Sequence, residues 1–111
     1  MEVIFTPLAQ RQLEKLHEDI TADANEERAD GYISRIVDYC NGFATFPRRG
    51  TQRDDVLPGL RVTGFERRVT IAFVVTADAV LIEGVFYGGQ DFEAAFRDED
   101  DEEWARAKRI V

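Results

Sequence analysis

The stretch that decides the fold spans residues 57–96 and reads LPGLRVTGFERRVTIAFVVTADAVLIEGVFYGGQDFEAAF. Apolar residues recur there with a period of two in three successive segments, which is typical of strands. The three segments are 59–65, 68–76 and 79–87. Between them stand Glu66-Arg67 and Ala77-Asp78, and each dipeptide predicts a tight two-residue turn. The stretch therefore predicts three antiparallel strands in a meander.

A short helix is predicted directly after the three strands. Near the N-terminus, a strand and then a long helix are predicted. Asp91 can cap a helix that runs to Phe96. Residues 2–5 favour a strand, and the Thr6-Pro7 pair that follows is typical of a helix start. The apolar face of that first long helix consists of Ala9, Leu13, Leu16 and Ile20.

A second long helix is predicted to begin with a capping box formed by Asp23 and Glu26, and to end at Phe46-Pro47. Its apolar face consists of Ala29, Ile33, Ile36, Cys40 and Phe43. The short link predicts an antiparallel hairpin. The predicted fold class is therefore α+β: an N-terminal strand, a helix hairpin packed on a three- to four-stranded mainly antiparallel sheet, and a short C-terminal helix.

The length and composition indicate one domain that stays in the cytoplasm. The chain has 111 residues, 44% of them hydrophobic, which suffices for one core. It has neither a secretory signal nor an apolar run that could span a membrane. We predict a domain over residues 1–96 and an acidic, helical extension over 97–111 that contains Trp104. A tryptophan in such a polar tail is expected to pack back on the chain or to meet a partner.

The charge is uneven along the chain. The net charge is −8, but residues 48–68 carry six arginines against three acidic residues. An acidic protein repels phosphate at long range, so binding to free nucleic acid is not expected. A local arginine cluster on an acidic body favours a protein partner, or a phosphate reached only within a complex.

The predicted turns place a group of charged residues on one face of the sheet. With two residues in each turn, Arg61 faces Ala72, Ala72 faces Glu83, and Arg68 faces Tyr87. Side chains alternate between faces, so the opposite face is apolar and is predicted to lie beneath the helix hairpin. That apolar face consists of Leu60, Val62, Val69, Ile71, Phe73, Val75, Val80, Ile82 and Phe86. The arginine face is then the open face.

Two interpretations of the open face follow from the residues alone. Guanidiniums beside a phenol can hold a carboxylate or a phosphate. An ordinary solvated face with an Arg61–Glu83 pair explains the same residues, and spacing alone favours it. Other candidates are weaker: His17 is predicted to lie on the surface and Cys40 in the core. No cofactor motif or metal-ligand cluster is apparent, so neither a cofactor nor a metal is expected.

Four segments in this order resemble the ParE branch of the RelE/ParE toxins of bacterial toxin–antitoxin systems. They are FTPLAQRQL at 5–13, PGLR at 58–61, RVTIAFVV at 68–75, and the closing FYGGQDFEAAF at 86–96. Together they cover about residues 2–96 and leave the tail outside. The resemblance implies a compact toxin neutralised by a cognate, ParD-like antitoxin, in a heterotetramer or a larger complex.

The resemblance also implies a target and a set of contact residues. ParE-type members act on DNA gyrase, whereas RelE-type members cut messenger RNA in the ribosome. Arg61 and Arg68 match family arginines, but Tyr87 stands where many relatives have histidine or another polar residue, and Gly89 and Gln90 stand where many have arginine. We therefore rank a non-catalytic gyrase-directed toxin first, a ribosome-dependent endoribonuclease second, and a non-toxic antitoxin-binding homologue third.

The candidate residues follow from this ranking. For contact with the target or the antitoxin they are Arg61, Arg68, Glu83, Tyr87, Gln90 and Trp104. For RNA cleavage they are Arg61, Arg68 and Tyr87. RNA cleavage needs acid–base groups and stabilisation of developing phosphate charge, and Glu83 is predicted to oppose that charge.

Overall fold

The computed structural model describes the backbone of residues 1–101 and the side chains of residues 1–96. The helices are α1 (Pro7–Asp23), α2 (Glu26–Asn41) and α3 (Phe92–Asp101), with a 3-10 turn at Gly42–Ala44. The strands are β1 (Glu2–Phe5), β2 (Thr51–Gln52), β3 (Leu60–Phe65), β4 (Val69–Val75) and β5 (Ala79–Tyr87). The strands form one sheet in the order β1-β5-β4-β3-β2, with β1 parallel to β5 and the other pairs antiparallel.

The predicted α+β class is confirmed, and the sheet gains one strand beyond the three or four expected. Strand β2 lies in a segment that showed no period of two, and it pairs with β3 through only two residues. Such a short edge strand leaves almost no periodic signal in the sequence. The predicted boundary between residues 96 and 97 falls inside α3 and stays a prediction. Residues 102–111 lie outside the described part of the chain.

The start of α1 agrees with the prediction, whereas the start of α2 does not. Thr6 Oγ1 accepts a hydrogen bond from the backbone N–H of Ala9, with Pro7 in the first turn. Helix α2 is capped by Asn25, whose Oδ1 accepts from the Arg28 N–H at 2.8 Å. The capping box predicted at Asp23 is wrong, because Asp23 is the last residue of α1.

The turn between β3 and β4 contains three residues instead of two. Phe65 faces Val69, so Arg68 belongs to the turn and not to a strand pair. Glu66 and Arg67 have φ values of 48° and 65°, a left-handed conformation that is uncommon outside glycine and asparagine. Nothing in their side chains signals such a turn. The one-residue difference moves each β3 residue to a different partner on β4.

Strands β4 and β5 contain a register shift that the sequence prediction lacked. The turn at Ala77-Asp78 agrees with the prediction, since Val75 faces Val80. The register then shifts between Phe73 and Ala72, which leaves Glu83 as an extra residue in β5. Beyond this bulge Val69 faces Tyr87, so the predicted pairing of Arg68 with Tyr87 is wrong.

One sheet face carries the main core, beneath the helix hairpin. Six of the nine residues predicted there do pack against the hairpin: Val69, Ile71, Phe73, Val75, Val80 and Ile82. They meet Leu16, Ile36 and Phe43 from the helical segment. Phe43 and Phe73 are fully buried, with ring centroids 4.6 Å apart. Aromatic pairs at this spacing contribute about 0.5–1.5 kcal/mol beyond the area they bury.

The opposite sheet face is covered as well, so the prediction of an open face is wrong. Leu60, Val62 and Phe86, predicted beneath the hairpin, instead form a second core with α3. The Phe86 ring lies 5.7 Å from that of Phe96 and 6.2 Å from that of Phe92. The bulge in β5 places Phe86 on this side, and the register of β3 does the same for Leu60 and Val62.

Phe96→Ala tests the packing of α3 on this second core. Phe96 is 1% exposed, and a Phe→Ala change in a core costs about 3–5 kcal/mol. We expect a fall of this size in the free energy of unfolding, measured by urea titration with circular dichroism. Phe46→Ala is the matched control: Phe46 is 68% exposed, and its loss should change stability by less than about 0.5 kcal/mol. Equal effects of the two changes would contradict the assigned packing of α3.

Candidate functional site

A cavity of about 820 Å³ opens where the hairpin meets the turn between β3 and β4. We call it the Tyr32–Tyr87 pocket. Its lining comes from the end of α1, the first turns of α2, the turn, and the last residue of β5: Ile20, Ala24, Asn25, Glu27, Arg28, Gly31, Tyr32, Arg35, Glu66, Arg68 and Tyr87. Pockets of about 300–1,000 Å³ are the usual size for ligand sites.

Two tyrosines form the wall of the pocket. The Tyr32 and Tyr87 rings meet edge to face, with centroids 6.2 Å apart. The Tyr32 hydroxyl is buried and has no hydrogen-bond partner among the residues that the structure describes. A buried hydroxyl without a partner costs free energy, about 1–3 kcal/mol by mutational data.

An ion pair closes one side of the pocket. Arg35 Nε and Nη2 donate to the two carboxylate oxygens of Glu66, at 3.0 and 3.2 Å. The Arg35 guanidinium also lies over the Tyr32 ring, 5.1 Å from its centroid. Two parallel hydrogen bonds fix the orientation of Arg35, although both side chains are about half exposed and the pair adds little stability. The pair therefore places the Arg35 guanidinium over the Tyr32 ring.

Two further arginines, Arg28 and Arg68, line the pocket. The guanidiniums of Arg28 and Arg68 make no ion pair or hydrogen bond to other side chains within the described residues. Glu27 also lines the pocket, and its carboxylate likewise makes no ion pair with a side chain in the described part of the chain. Since Arg35 and Glu66 neutralise each other, the remaining lining charges give the pocket a net charge of about +1 at neutral pH.

The pocket changes the acidity of Tyr32. Burial raises the pKa of the Tyr32 hydroxyl above its ordinary value of 10.0, because the charged phenolate would lose hydration. Tyr87 and Glu66 raise the pKa of Tyr32 further. The positive charges of Arg35 and Arg68 act in the opposite direction. The raised pKa of Tyr32 therefore changes its protonation state only in the alkaline range, above pH 10.

The structure keeps Arg68 and Tyr87 together and separates Arg61 from them. The Arg68 carbonyl accepts a hydrogen bond from the Gly88 N–H at 2.7 Å, so Arg68 and Tyr87 meet at the pocket despite the changed register. Arg61 faces Phe73 instead of Ala72. It lies four residues before Phe65, roughly 13 Å along the strand from the turn. Its Nη1 donates to the Arg49 carbonyl at 3.2 Å, which supports the loop before β2.

The predicted cross-strand arrangement of Arg61, Ala72 and Glu83 is also wrong. Glu83 is the extra residue at the bulge, is 3% exposed, and does not line the pocket. Thr6 Oγ1 donates to its carbonyl at 3.3 Å, which ties the start of α1 to β5. Glu83 is therefore a buried residue at the β-bulge and does not belong to a charged surface.

Beyond Ile82, strand β5 lies at a sheet edge that the side chains of Gln12 and Gln90 cover. Strand β1 pairs with β5 only up to Ile82, so later residues of β5 have a strand neighbour on one side alone. Gln12 Oε1 accepts the Val85 N–H at 2.6 Å, and Gln90 Oε1 accepts the Tyr87 N–H at 3.0 Å. Side chains thus satisfy the two outward N–H groups. Gln90, a predicted contact residue, covers this edge next to the pocket.

The remaining candidates have other surroundings. His17 Nε2 lies 2.7 Å from Asp30 Oδ1, across the hairpin on its surface. Cys40 is fully buried, and burial raises the pKa of its thiol to about 12. Gly88 has a φ of 70°, so a bend at the end of β5 explains this glycine. Trp104 lies outside the described residues.

The described part of the chain has neither a metal-binding cluster nor a membrane-spanning helix. No three side chains among its histidines, cysteines and acidic residues come together in a way that could hold a metal ion. None of its helices is long and apolar enough to cross a membrane.

Sequence reasoning missed the helical half of the pocket. Tyr32 and Arg35 are three residues apart in α2, a spacing that puts them on one helix face. They lie next to the apolar stripe of α2, and this position was the available sequence signal that they line a surface close to the sheet. Glu66 was assigned to a turn, and its ion pair with Arg35 spans 31 residues of sequence, so no local pattern could reveal it.

Known proteins resemble this chain in sequence and in fold. The sequence model of the "ParE toxin of type II toxin-antitoxin system, parDE" matches residues 3–92. A solved structure described as the "Chromosomal ParDE TA system from P. aeruginosa" has a similar fold, with a TM-score of 0.70 and 20% identity. That alignment covers 79% of this chain and 96% of the other. A search of curated proteins found no match.

The fold is thus the small α+β fold of this class of toxin, in which a strand and a helix hairpin precede a mixed sheet. The family match extends over most of the chain, and its range includes every residue that lines the pocket. The chain belongs to the ParE toxin family of type II toxin–antitoxin systems.

Tyr32→Phe tests the burial of the hydroxyl through the pH dependence of stability. A folded-state pKa above the unfolded value stabilises the protein below pH 10, and this contribution is lost as pH rises through the folded pKa. We expect the free energy of unfolding of Tyr32→Phe to fall less steeply above pH 10, measured by urea titrations at several pH values. Cys40 contributes to both proteins equally. Identical slopes would contradict a raised pKa of Tyr32.

Proposed function

We propose that this ParE toxin stops growth by binding DNA gyrase, without cleaving RNA, and that a cognate antitoxin neutralises it. The family match over residues 3–92 carries the proposal, because gyrase is the target that a resemblance to ParE-type members implies. Action on gyrase requires the protein to work in the cytoplasm.

The distribution of charged groups favours a protein target over RNA. A ribonuclease needs acid–base groups and positive charge gathered at one phosphate. Here Arg61 supports a loop far along β3 from the turn, while Arg68 and Tyr87 share their pocket with two glutamates. The net charge of −8 also opposes approach to ribosomal RNA. Both observations support contact with a protein surface.

The edge of β5 supports antitoxin binding by strand addition. An extended peptide can pair with an exposed strand edge through backbone hydrogen bonds. The N–H groups of Val85 and Tyr87 are bonded only to the side chains of Gln12 and Gln90, which can rotate away. If a backbone carbonyl of the added strand replaces each glutamine oxygen, both N–H groups keep a hydrogen-bond acceptor. We propose a ParD-like antitoxin at this edge, in a heterotetramer or a larger complex.

One observation favours an endoribonuclease as the second candidate. Arg68 and Tyr87 line the same pocket, and an arginine with a phenol could stabilise and protonate a phosphate. A toxin fold that binds its antitoxin without toxicity is the third candidate. A small antitoxin gene next to the toxin gene would support the antitoxin partnership that all three share.

Expression of the chain without its antitoxin is expected to stop growth. Purified toxin in excess should inhibit supercoiling by gyrase and accumulate cleaved DNA, measured on agarose gels. No growth arrest would favour the non-toxic homologue, and growth arrest without an effect on gyrase would contradict the proposed target.

A translation extract provides the matched test for RNA cleavage. We expect no codon-specific cleavage of messenger RNA, mapped by primer extension. Cleavage that is lost in Arg68→Ala and kept in Arg67→Ala would establish the endoribonuclease instead. Arg67 is the suitable control because it is the neighbouring exposed arginine in the same turn and does not line the pocket.

A further inference from the structure

The Tyr32–Tyr87 pocket has an uncompensated positive charge beside an aromatic wall. Arg35 is committed to Glu66, whereas the head groups of Arg28 and Arg68 make no such contact in the part of the chain described. Arginine holds a carboxylate through two parallel hydrogen bonds, and its planar group is well suited to this role. The two guanidiniums in the lining are therefore available to bind a planar anion.

The aromatic wall suits the group that carries this anion. The rings of Tyr32 and Tyr87 present apolar surface, and Ile20 and Ala24 extend it along the end of α1. A cavity of about 820 Å³ is much larger than a carboxylate alone needs. The Tyr32 hydroxyl is buried, so the ring of Tyr32 and not its oxygen meets a ligand in the pocket.

We propose that the Tyr32–Tyr87 pocket is a binding site for one carboxylate carried on an apolar or aromatic group, and that an acidic segment of the antitoxin supplies it. The assignment of the carboxylate to the antitoxin rests on the proposed antitoxin partnership. The assignment of a carboxylate to the pocket does not depend on that partnership. Arg68 is the main contact, because it lies in the turn beside Tyr87. Arg28 approaches from the first turn of α2.

Charge balance favours a carboxylate over a phosphate. The lining holds three guanidiniums and two carboxylates, so a single negative charge neutralises it. A phosphate carries about −1.5 to −2 charges at pH 7, and the surplus would face Glu27 and Glu66. Like charges at close range are unfavourable, so the surplus charge disfavours a phosphate.

The location of the pocket favours the antitoxin as the source. Tyr87 is both the last residue of β5 and part of the lining, and its backbone N–H lies on the proposed strand-addition edge. Side chains of an added strand alternate between the two faces. Those on the hairpin side pass next to Tyr87, one strand position away from the turn that carries Arg68.

Three small molecules that share a phenyl group test the chemistry of the site. Phenylacetate carries one negative charge, phenylacetamide has none, and phenyl phosphate is mostly a dianion at pH 8. Titration of the full-length toxin is followed by NMR through the arginine Nε–Hε and tyrosine ring signals. We expect phenylacetate to shift the signals of Arg68, Tyr32 and Tyr87 with saturation, and to bind at least about 10-fold more tightly than the other two compounds.

A pair of neighbouring variants provides the control for charge. Arg68→Gln should weaken phenylacetate binding at least about 10-fold, the loss expected for one charge-assisted contact. Arg67→Gln removes the same charge one residue away, outside the pocket lining, and should leave binding unchanged. Equal binding of phenylacetamide, tighter binding of phenyl phosphate, or equal effects of the two variants would overturn the carboxylate site.

The purified toxin–antitoxin complex tests the source. If an antitoxin carboxylate occupies the pocket, phenylacetate no longer shifts the Arg68 signal in the complex, and Arg68→Gln weakens antitoxin binding while Arg67→Gln does not. Phenylacetate binding to the complex as tightly as to the toxin would overturn the antitoxin as the source. Growth arrest and gyrase inhibition are measured without antitoxin, so their failure is distinguishable from the failure of this site.

Discussion

The bulge in strand β5 determines which side of the sheet each functional residue occupies. Strand β5 pairs with β1 on one side and β4 on the other, and it contributes to both cores. Glu83, the extra residue at the bulge, inverts the order of faces for the rest of the strand. As a result Phe86 packs beneath α3 and Tyr87 packs toward the hairpin. Without that inversion Tyr87 would face α3, and the pocket would lose one of its two aromatic walls.

The parts of the fold that the sequence could predict are those set by local patterns. Thr6 and Pro7 start α1, the stripe of α2 is buried, and the period of two marks β3 to β5, because each signal lies within a few residues. The three-residue turn and the bulge have no comparable signal. Each changes the register by one residue, and a shift of one residue exchanges the two faces. The candidate face was therefore predicted on the wrong side of the sheet, and Arg61 and Glu83 were placed together in error.

Only some residues of the candidate site could be predicted from the sequence. Arg68 and Tyr87 could be named from the sequence, because the turn and the strand end are close in any register. Tyr32, Arg35 and Arg28 could not, since they come from a helix that meets the turn only in the folded chain. The pocket joins both sets, and its charge of about +1 is a local exception on an acidic protein. Such an exception favours selective contact with an acidic partner segment over general attraction to nucleic acid.

Amide hydrogen exchange in the free toxin and in its antitoxin complex tests most directly whether the β5 edge and the adjoining pocket form the partner surface. In the free protein the Val85 and Tyr87 amides are held only by glutamine side chains. Pairing with an antitoxin strand should slow their exchange at least about 10-fold, because backbone hydrogen bonds within a sheet open less often than side-chain contacts at an edge. Unchanged exchange at these two amides, with new protection confined to the His17 surface of the hairpin, would contradict this account.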